Sequence, residues 1–167
     1  MSASPPPTIV VTGATNGIGK ATNELLKENG VSTIPCDREP CADNDYVFLD
    51  LMSPTSITEC VNTIPNNIEG LINCAGVAPV SHSNNAVLEV NWFGTRSFTE
   101  KLLTKIKPSG SVTTVASRAG ANWEDNIRNL NQFIDSTHDG VANTFDIENL
   151  TPARAYELSK ELLIFWS

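Results

Sequence analysis

A glycine-rich turn near the start of the chain constrains the fold more than any other feature. The segment 12–19, TGATNGIG, follows a short apolar run at 8–12 and precedes a stretch with helical spacing. Glycines at this spacing allow a tight turn, and the amides at the start of a helix attract anions. Glycine is common in turns of every kind, so the flanking strand and helix carry the prediction of a pyrophosphate-binding loop.

Strand and helix patterns alternate along most of the remaining chain. Short apolar runs predict strands at 8–12, 31–37, 46–51, 71–74 and 112–116. Strands that alternate with helices indicate βαβ units, and right-handed crossovers then place helices on both faces of a parallel sheet. The predicted fold is therefore α/β, a doubly wound parallel sheet in three layers of the Rossmann type.

Helix boundaries are marked by local signals. The helix after the loop has Ile18, Ala21, Leu25 and Leu26 on one predicted face and ends at Gly30. Ser53-Pro54 and Thr151-Pro152 predict the starts of two further helices, since serine and threonine cap helices and proline suits the first turn. A long helix is predicted at 86–107 and is ended by the segment 108–110, PSG.

Length, charge and cysteine content narrow the function classes. The 167 residues suit a single domain at 8–167 after a disordered lead-in at 1–7, and nothing in them resembles a signal peptide or a membrane span. A net charge of −8 argues against nucleic acid and anionic membranes as partners. The cysteines show no metal-ligand spacing, and Cys36, Cys60 and Cys74 lie in apolar runs. We expect reduced thiols, no bound metal and a cytoplasmic location.

Asp37 ends the second predicted strand, roughly 20 residues beyond the loop, where a dinucleotide site uses a carboxylate for the ribose hydroxyls. That carboxylate would repel a 2′-phosphate and favours NAD over NADP. An aspartate in an ordinary turn is the alternative. Arg38 leaves NADP possible, because an arginine there could hold the 2′-phosphate.

Motifs in a fixed order along nearly the whole chain resemble the short-chain dehydrogenase/reductase family. They are the loop 12–19, Asp50-Leu51, Asn73-Cys74-Ala75-Gly76, Val90-Asn91, Ser117 and the segment 156–160, YELSK. The resemblance implies a hydride-transferring oxidoreductase that interconverts a secondary alcohol and a ketone with NAD or NADP. It implies cofactor contacts from Gly13, Asn16, Gly17, Ile18, Gly19, Asp37, Arg38, Asp50, Leu51, Asn73, Ala75, Gly76, Tyr156 and Lys160.

The same resemblance implies a catalytic tetrad of Asn91, Ser117, Tyr156 and Lys160, with Tyr156 as general acid and base. A phenol titrates near pH 10, and a neighbouring cation favours the phenolate. Tyr156 and Lys160 are four apart on the last predicted helix and so share one face. In the family the lysine also holds the nicotinamide ribose, the serine hydrogen-bonds the substrate oxygen, and the asparagine holds a water in a proton relay.

Two departures from the family pattern shape the remaining expectations. The long separation of Ser117 and Tyr156 resembles the 3α-hydroxysteroid dehydrogenase/carbonyl reductase subgroup, which suggests a steroid or other alicyclic carbonyl substrate. The insert at about 121–150 is rich in apolar residues and is expected to fold back as a lid or a dimer surface; these residues are Trp123, Ile127, Leu130, Phe133, Ile134 and Phe145.

The second departure is that the chain stops soon after Lys160, where family members continue through two more strands. We therefore expect an open edge at the fifth strand, and poorly covered apolar residues at 162–166. The isolated chain should be poorly active and should associate, and the full-length form should be a homo-oligomer. The alternative function is a shortened, non-catalytic dinucleotide-binding module.

Overall fold

The structure is a computed structural model that describes residues 6–135 and 147–167. These residues form two compact units. The first comprises residues up to Ala75 together with Arg96–Val115, and the second comprises Gly76–Thr95 together with Ala116–Ser167. The first contains the β-strands and is called the sheet unit; the second is called the helical unit. The predicted loop at 13–19 belongs to the sheet unit, and all four predicted tetrad residues belong to the helical unit.

Five parallel strands form the sheet, in the spatial order β3-β2-β1-β4-β5. They are β1 Thr8–Thr12, β2 Ser32–Asp37, β3 Val47–Phe48, β4 Ile68–Asn73 and β5 Ile106–Thr114. The chain passes from β1 outward to β3 and then returns to the other side of β1, which is the order of a doubly wound, Rossmann-type sheet. The predicted fold class is confirmed.

Six α-helices and several shorter helical turns are described. They are α1 Gly17–Glu28, α2 Pro54–Thr63, α3 Asn84–Leu88, α4 Thr95–Leu102, α5 Ile127–Asp135 and α6 Pro152–Trp166. A π-helical turn, Glu89–Gly94, joins α3 to α4, and 3₁₀ turns lie at Leu103–Lys105, Arg118–Gly120, Trp123–Asn126 and Ile147–Asn149.

The two helix starts that local capping signals predicted are confirmed. Ser53 accepts a hydrogen bond from the Ser56 amide and Pro54 occupies the first turn of α2. Thr151 accepts one from the Arg154 amide, and Pro152 occupies the first turn of α6. In both helices the cap satisfies an amide that has no partner within the helix.

Helix α1 buries a different face from the one that its apolar spacing predicted. Ile18 is 64% exposed and Leu25 60% exposed, whereas Gly19 and Asn23 are buried. Gly19 packs so closely that a β-carbon there would overlap the carbonyl oxygen of Gly13. The close approach of the backbone therefore decides which face packs, and the apolar row faces outward.

The helix predicted at 86–107 ends earlier and is less regular than expected. The last helical turn closes at Lys105, and Ile106 begins β5 instead of extending the helix. The segment 108–110 lies inside β5, next to a register shift between Ile68 and Gly70 of β4. Proline and glycine are tolerated at such an irregularity, which explains why they do not mark the end of a helix here.

The two outer strands differ in length. Strand β3 has only two residues where 46–51 was predicted, because β2 ends at Asp37 and leaves the chain beyond Leu49 without a strand to pair with. Strand β5 has nine residues and, within the described part of the chain, pairs on its β4 side alone. The open edge predicted for the fifth strand is confirmed.

The described residues of the insert, 121–135 and 147–150, fold back as expected and form part of the core of the helical unit. A role as a lid or a dimer surface stays a prediction. Leu130, Phe133 and Ile147 of the insert are buried, and the Asn84 side-chain amide donates to the carbonyl oxygens of Ile147 and Leu150. Trp123 and Ile134 pack on this core, Ile127 is exposed, and Phe145 lies outside the described residues. The core consists of Leu88, Trp92, Leu130, Phe133, Ile147, Leu158, Leu162 and Leu163.

The apolar end of α6 is better covered than the sequence led us to expect. Leu162 and Leu163 are buried in the core of the helical unit. Trp166 packs edge-to-face on Trp92 with ring centroids 5.8 Å apart, and Phe165 lies 5.8 Å from the Trp123 ring. The insert supplies Trp123, Leu130 and Phe133 as partners, and Trp92 comes from the π-helical turn. Sequence spacing gave no sign of these long-range contacts.

The four cysteines are free thiols. Cys36 and Cys60 are buried with their sulfur atoms 3.8 Å apart, as their apolar runs predicted, whereas Cys74 is only partly buried. The hydrogen bond with Cys60 and burial both raise the pKa of Cys36. Over residues 6–135 and 147–167, no helix is both long enough and apolar enough to cross a membrane.

Candidate functional site

The glycine loop follows β1 and is held against the end of β4. A β-carbon at Gly13, whose φ is +67°, would lie 2.8 Å from the Ala75 backbone. The buried hydroxyl of Thr12 accepts hydrogen bonds from the Cys74 and Ala75 amides, both at 3.1 Å. These contacts fix the loop at the carboxyl edge of the sheet, where ligands of doubly wound sheets bind.

The middle of the loop is open to a ligand. Gly17 has a φ of +51°, and apart from its chain neighbours and its own helix backbone no atom lies within 4 Å of the place where its β-carbon would be. The Asn16 side chain caps α1 by accepting a hydrogen bond from the Gly17 amide at 2.7 Å, and Ile18 is exposed beside it. An open backbone at a helix N-terminus suits the close approach of a phosphate group.

Asp37 is tied to this loop in the sheet unit. The amide and hydroxyl of Thr15 both donate to one carboxylate oxygen, at 3.0 and 2.8 Å, and the Glu39 amide donates to the other at 3.2 Å. Arg38 points away into solvent, 3.8 Å from the Glu39 carboxylate. The carboxylate that was predicted to meet a ribose therefore lies next to the loop, while the neighbouring cation does not contact it.

Other predicted cofactor residues of the sheet unit are more buried. The Leu51 side chain belongs to the core, and an Asp50 carboxylate oxygen accepts a hydrogen bond from the Met52 amide. The buried Asn73 amide donates to Thr99 at 2.9 Å and to Thr114 at 3.4 Å, whereas its side-chain oxygen has no hydrogen-bond partner. Asn73 therefore orders the ends of β4 and β5 with its side chain.

Asn91 lies inside the π-helical turn and is fully buried. Its side-chain oxygen accepts from the Val77 amide at 2.8 Å, and its nitrogen donates to the Val77 carbonyl at 3.0 Å and to the Ser159 hydroxyl at 3.2 Å. Turns of this kind often mark functional sites. The side chain thus links the segment after Gly76 to α6.

Tyr156 and Lys160 lie together on α6. The Lys160 ammonium nitrogen is 5.7 Å from the centroid of the Tyr156 ring. A β-carbon at Gly76 would lie 3.2 Å from the Asn91 side-chain oxygen and 3.6 Å from the same nitrogen, so the three groups are close neighbours. Burial lowers the pKa of Lys160, and among the described residues no carboxylate forms an ion pair with it.

Ser117 caps the 3₁₀ turn Arg118–Gly120 and accepts a hydrogen bond from the Ala119 amide at 3.2 Å. It is partly exposed. The structure therefore brings Asn91, Tyr156 and Lys160 into one cluster, with Ser117 at the start of a turn that packs on α6 near Lys160.

Sequence reasoning missed two residues that fix this geometry. Thr15 holds Asp37, and Ser159 accepts from Asn91 while donating to the Tyr156 carbonyl at 2.7 Å. Both occur within the motifs at 12–19 and 156–160. The signal that could have identified them was a side-chain hydroxyl inside a motif, next to residues that already had predicted roles.

The sequence profile of the short chain dehydrogenase family matches residues 7–127. This match spans the glycine loop, Asp37, Asn91 and Ser117 in their observed order. The chain belongs to the short chain dehydrogenase family. Tyr156 and Lys160 lie beyond the matched residues, and their roles remain predictions.

Named relatives agree with the family. The chain is 34% identical over 162 residues to the coniferyl-alcohol dehydrogenase of Pseudomonas sp. strain HR199, an alignment that covers 95% of this chain and 63% of that protein. It is 32% identical over 95 residues to the short chain dehydrogenase ausX of Penicillium brasilianum, covering 50% of this chain and 37% of that one. This short chain dehydrogenase thus spans less than two thirds of the length of these relatives.

Solved structures share the fold. The 3-alpha-hydroxysteroid dehydrogenase from Pseudomonas sp. B-0831, complexed with NADH, superposes with a TM-score of 0.79 at 23% identity, covering 95% of this chain and 63% of that one. The aldohexose dehydrogenase of Thermoplasma acidophilum gives a TM-score of 0.70 at 20% identity, with 96% and 58% covered. At these identities the likeness supports the Rossmann-type fold of this family member.

Proposed function

We propose that this chain binds NAD through the sheet unit, and that the helical unit supplies the proton-transfer residues for interconverting a secondary alcohol and a ketone. The observation that carries the proposal is the buried Lys160 ammonium beside the Tyr156 ring, with Asn91 next to it. A buried cation with no acidic partner among the described residues suits a group that works on a phenol rather than an ordinary surface pair.

The residues present fit a dinucleotide. Gly17 leaves open backbone where a pyrophosphate would approach, and α1 begins there. The Asp37 carboxylate, next to the loop, would accept hydrogen bonds from ribose hydroxyls and repel a 2′-phosphate. Arg38 is directed at Glu39, so we favour NAD, with NADP as the second choice.

When bound, the nicotinamide would supply the hydride exchange, and the chain would manage the proton. Tyr156 would give its phenolic proton to the carbonyl oxygen in reduction and take it back in oxidation. The Lys160 ammonium would favour the phenolate form through its charge. Ser117 would donate a hydrogen bond to the substrate oxygen, and Asn91 would keep the segment after Gly76 in register with α6 and support the relay of protons.

The substrate class rests on resemblance and on the names of relatives. A hydroxysteroid dehydrogenase shares the fold, and a coniferyl-alcohol dehydrogenase aligns over 95% of the chain. We therefore propose a ring-bearing hydroxy or keto compound, and a homo-oligomer for the full-length form.

The test follows absorbance at 340 nm with NAD⁺ and two secondary alcohols, a 3α-hydroxysteroid and cyclohexanol, with coniferyl alcohol as a primary alcohol for comparison. Turnover should fall at least about a hundredfold in Tyr156→Phe, since general acid–base groups typically contribute that much or more, while NADH still binds. Turnover that survives Tyr156→Phe would refute the assigned role. NADH binding without turnover of any alcohol would favour the non-catalytic binding module.

A further inference from the structure

Glu161, the residue after Lys160, is the most deeply buried carboxylate in the described residues and has no part in the chemistry proposed above. It is 1% exposed. The Arg154 guanidinium donates to its two oxygens at 2.8 and 2.9 Å, and the Asn126 amide donates to one of them at 3.3 Å. The hydrogen bond with Glu161 raises the pKa of Arg154.

Stability alone explains this arrangement poorly. Removing a carboxylate from water costs several kcal/mol, and the gain from one arginine seldom exceeds that cost. Apolar residues fill the neighbouring positions Leu158, Leu162 and Leu163 of the same helix. A buried carboxylate that is retained within such a core is more useful for fixing one arrangement of its partners than for stability.

The partners of Glu161 come from two parts of the helical unit. Arg154 lies two turns earlier on α6, while Asn126 ends the segment 118–126 that follows directly after Ser117. With 3.6 residues per turn, Glu161 is rotated about 140° around α6 from Tyr156. Its carboxylate therefore faces this segment and not the cluster of Tyr156 and Lys160.

The segment 118–126, here called the docking segment, is held to α6 at three points. A β-carbon at Gly120 would lie 2.6 Å from the Lys160 carbonyl carbon and 2.8 Å from the Glu161 amide nitrogen, so the two backbones touch. The Trp123 ring lies 5.8 Å from that of Phe165. The bond from Asn126 to Glu161 is the polar anchor at the far end of the segment.

We propose that Glu161 is a positioning residue: with Arg154 and Asn126 it holds the docking segment on the back of α6 and so sets the position of Ser117 relative to Tyr156. This inference rests on the proposed function for its catalytic consequence. A displacement of about 1 Å in such an arrangement can lower a rate about a hundredfold.

The test compares four variants of the whole chain with the wild type. Glu161→Ala removes the anchor, and Asn126→Asp sets two carboxylates against each other. The double variant Asn126→Asp with Glu161→Ala removes that repulsion and keeps the total charge, so it tests whether the two side chains act as one unit. Glu157→Gln is the matched control, because Glu157 is a partly exposed partner of Arg154 on the same helix.

Two readouts are taken under conditions in which circular dichroism shows every variant folded. The first is kcat and KM with NAD⁺ and the best alcohol. The second is hydrogen exchange at the Gly120, Ala121 and Asp125 amides of the docking segment, which donate to the carbonyls of Ser117, Arg118 and Asn122 in that order. Glu161→Ala and Asn126→Asp should lower kcat about 10- to 100-fold, leave the NADH dissociation constant within about twofold, and speed exchange at all three amides. The double variant should be impaired no more than Glu161→Ala alone, and Glu157→Gln should match the wild type.

The outcomes separate this inference from the proposed function. Unchanged exchange in Glu161→Ala would overturn the inference, and so would faster exchange with an unchanged kcat, which would indicate a purely structural bond. A double variant in which the losses of the two single variants multiply would overturn the pairing of Asn126 with Glu161. A wild type without turnover would refute the proposed function, and exchange in Glu161→Ala would still decide whether this carboxylate holds the segment.

Discussion

Replacement of Gly17 by alanine separates the cost of backbone strain from the cost of blocking a ligand. Gly17 and Gly30 both have positive φ, +51° and +76°, and neither would have another atom within 4 Å of an added β-carbon. The two sites therefore present alanine with similar strain and similar space. Their positions differ, because Gly17 lies within the predicted pyrophosphate loop and Gly30 follows the end of α1.

The structure gives the expected magnitudes. A left-handed conformation costs an alanine about 1–2 kcal/mol, partly offset by the lower entropy of the unfolded chain. Both Gly17→Ala and Gly30→Ala should therefore lose about 1 kcal/mol of unfolding free energy. A methyl group that keeps a pyrophosphate from the loop should weaken NADH binding at least about tenfold, or about 1.4 kcal/mol, in Gly17→Ala alone.

Urea unfolding and NADH fluorescence titration measure the two effects on the same samples. Equal loss of NADH affinity in both variants would show that the effect comes through general stability. Wild-type affinity in Gly17→Ala would show that the dinucleotide does not approach the loop at this glycine.

Three further predictions concern stability and assembly. Phe133→Ala should lower the unfolding free energy by about 3–5 kcal/mol, because Phe133 is 1% exposed in the core of the helical unit. Ile127→Ala on the same helix, at a residue 41% exposed, should lower it by less than about 1 kcal/mol. Similar losses in urea unfolding of the two variants would contradict the core role of the insert. Lys160→Met should raise the unfolding free energy at pH 7, because burial lowers the pKa of Lys160 and the unfolded chain therefore holds that proton more tightly. The unfolding free energy of the wild type should rise with pH between the lowered pKa of Lys160 in the folded chain and its value of about 10.4 in the unfolded chain. Lys160→Met should lack that rise. Parallel curves of unfolding free energy against pH for the two proteins would contradict this prediction. The wild-type chain should self-associate through the open edge of β5. Val112→Lys, at an exposed residue of that strand, should reduce the associated fraction measured by sedimentation velocity. A wild type that stays monomeric would exclude association through this edge.

The parts of the fold set by local chemistry could be predicted from sequence. Ser53-Pro54 and Thr151-Pro152 mark helix starts because a cap and a first-turn proline act within four residues. The strand, glycine loop and helix at the start were predictable because turn, apolar run and helical spacing agree there. Motif order, read as a resemblance, added the family, which the profile match then showed.

The parts set by tertiary contact could not be predicted. Helical spacing pointed to Ile18 and Leu25 as the packed face of α1, yet the backbone approach at Gly19 decides which face is buried. Period counting assumes 3.6 residues per turn, so it missed the π-helical turn around Asn91. It also placed Ile106 in a helix, although pairing with Ile68 makes that residue the start of β5.

The sequence predicted which residues form the candidate site, but it did not predict the contacts that hold them in place. Tyr156 and Lys160 were expected to share a helical face, and the structure puts the Lys160 nitrogen 5.7 Å from the Tyr156 ring. Thr15 holds the Asp37 carboxylate from 22 residues away in sequence, and Asn126 holds the Glu161 carboxylate from 35 residues away. The spacing of about 20 residues placed Asp37 near the loop but did not identify Thr15, and no spacing rule links Asn126 to Glu161.

Nuclear magnetic resonance of the ¹⁵N-labelled chain, titrated with NADH and separately with NADPH, tests the central claim most directly, because it reports both binding and its place. We expect NADH to shift the amides of Gly13, Gly17, Gly19 and Thr15, and NADPH to bind at least about tenfold more weakly because the Asp37 carboxylate repels the 2′-phosphate. Loop amides that do not move at millimolar NADH, or tighter binding of NADPH, would contradict the central claim.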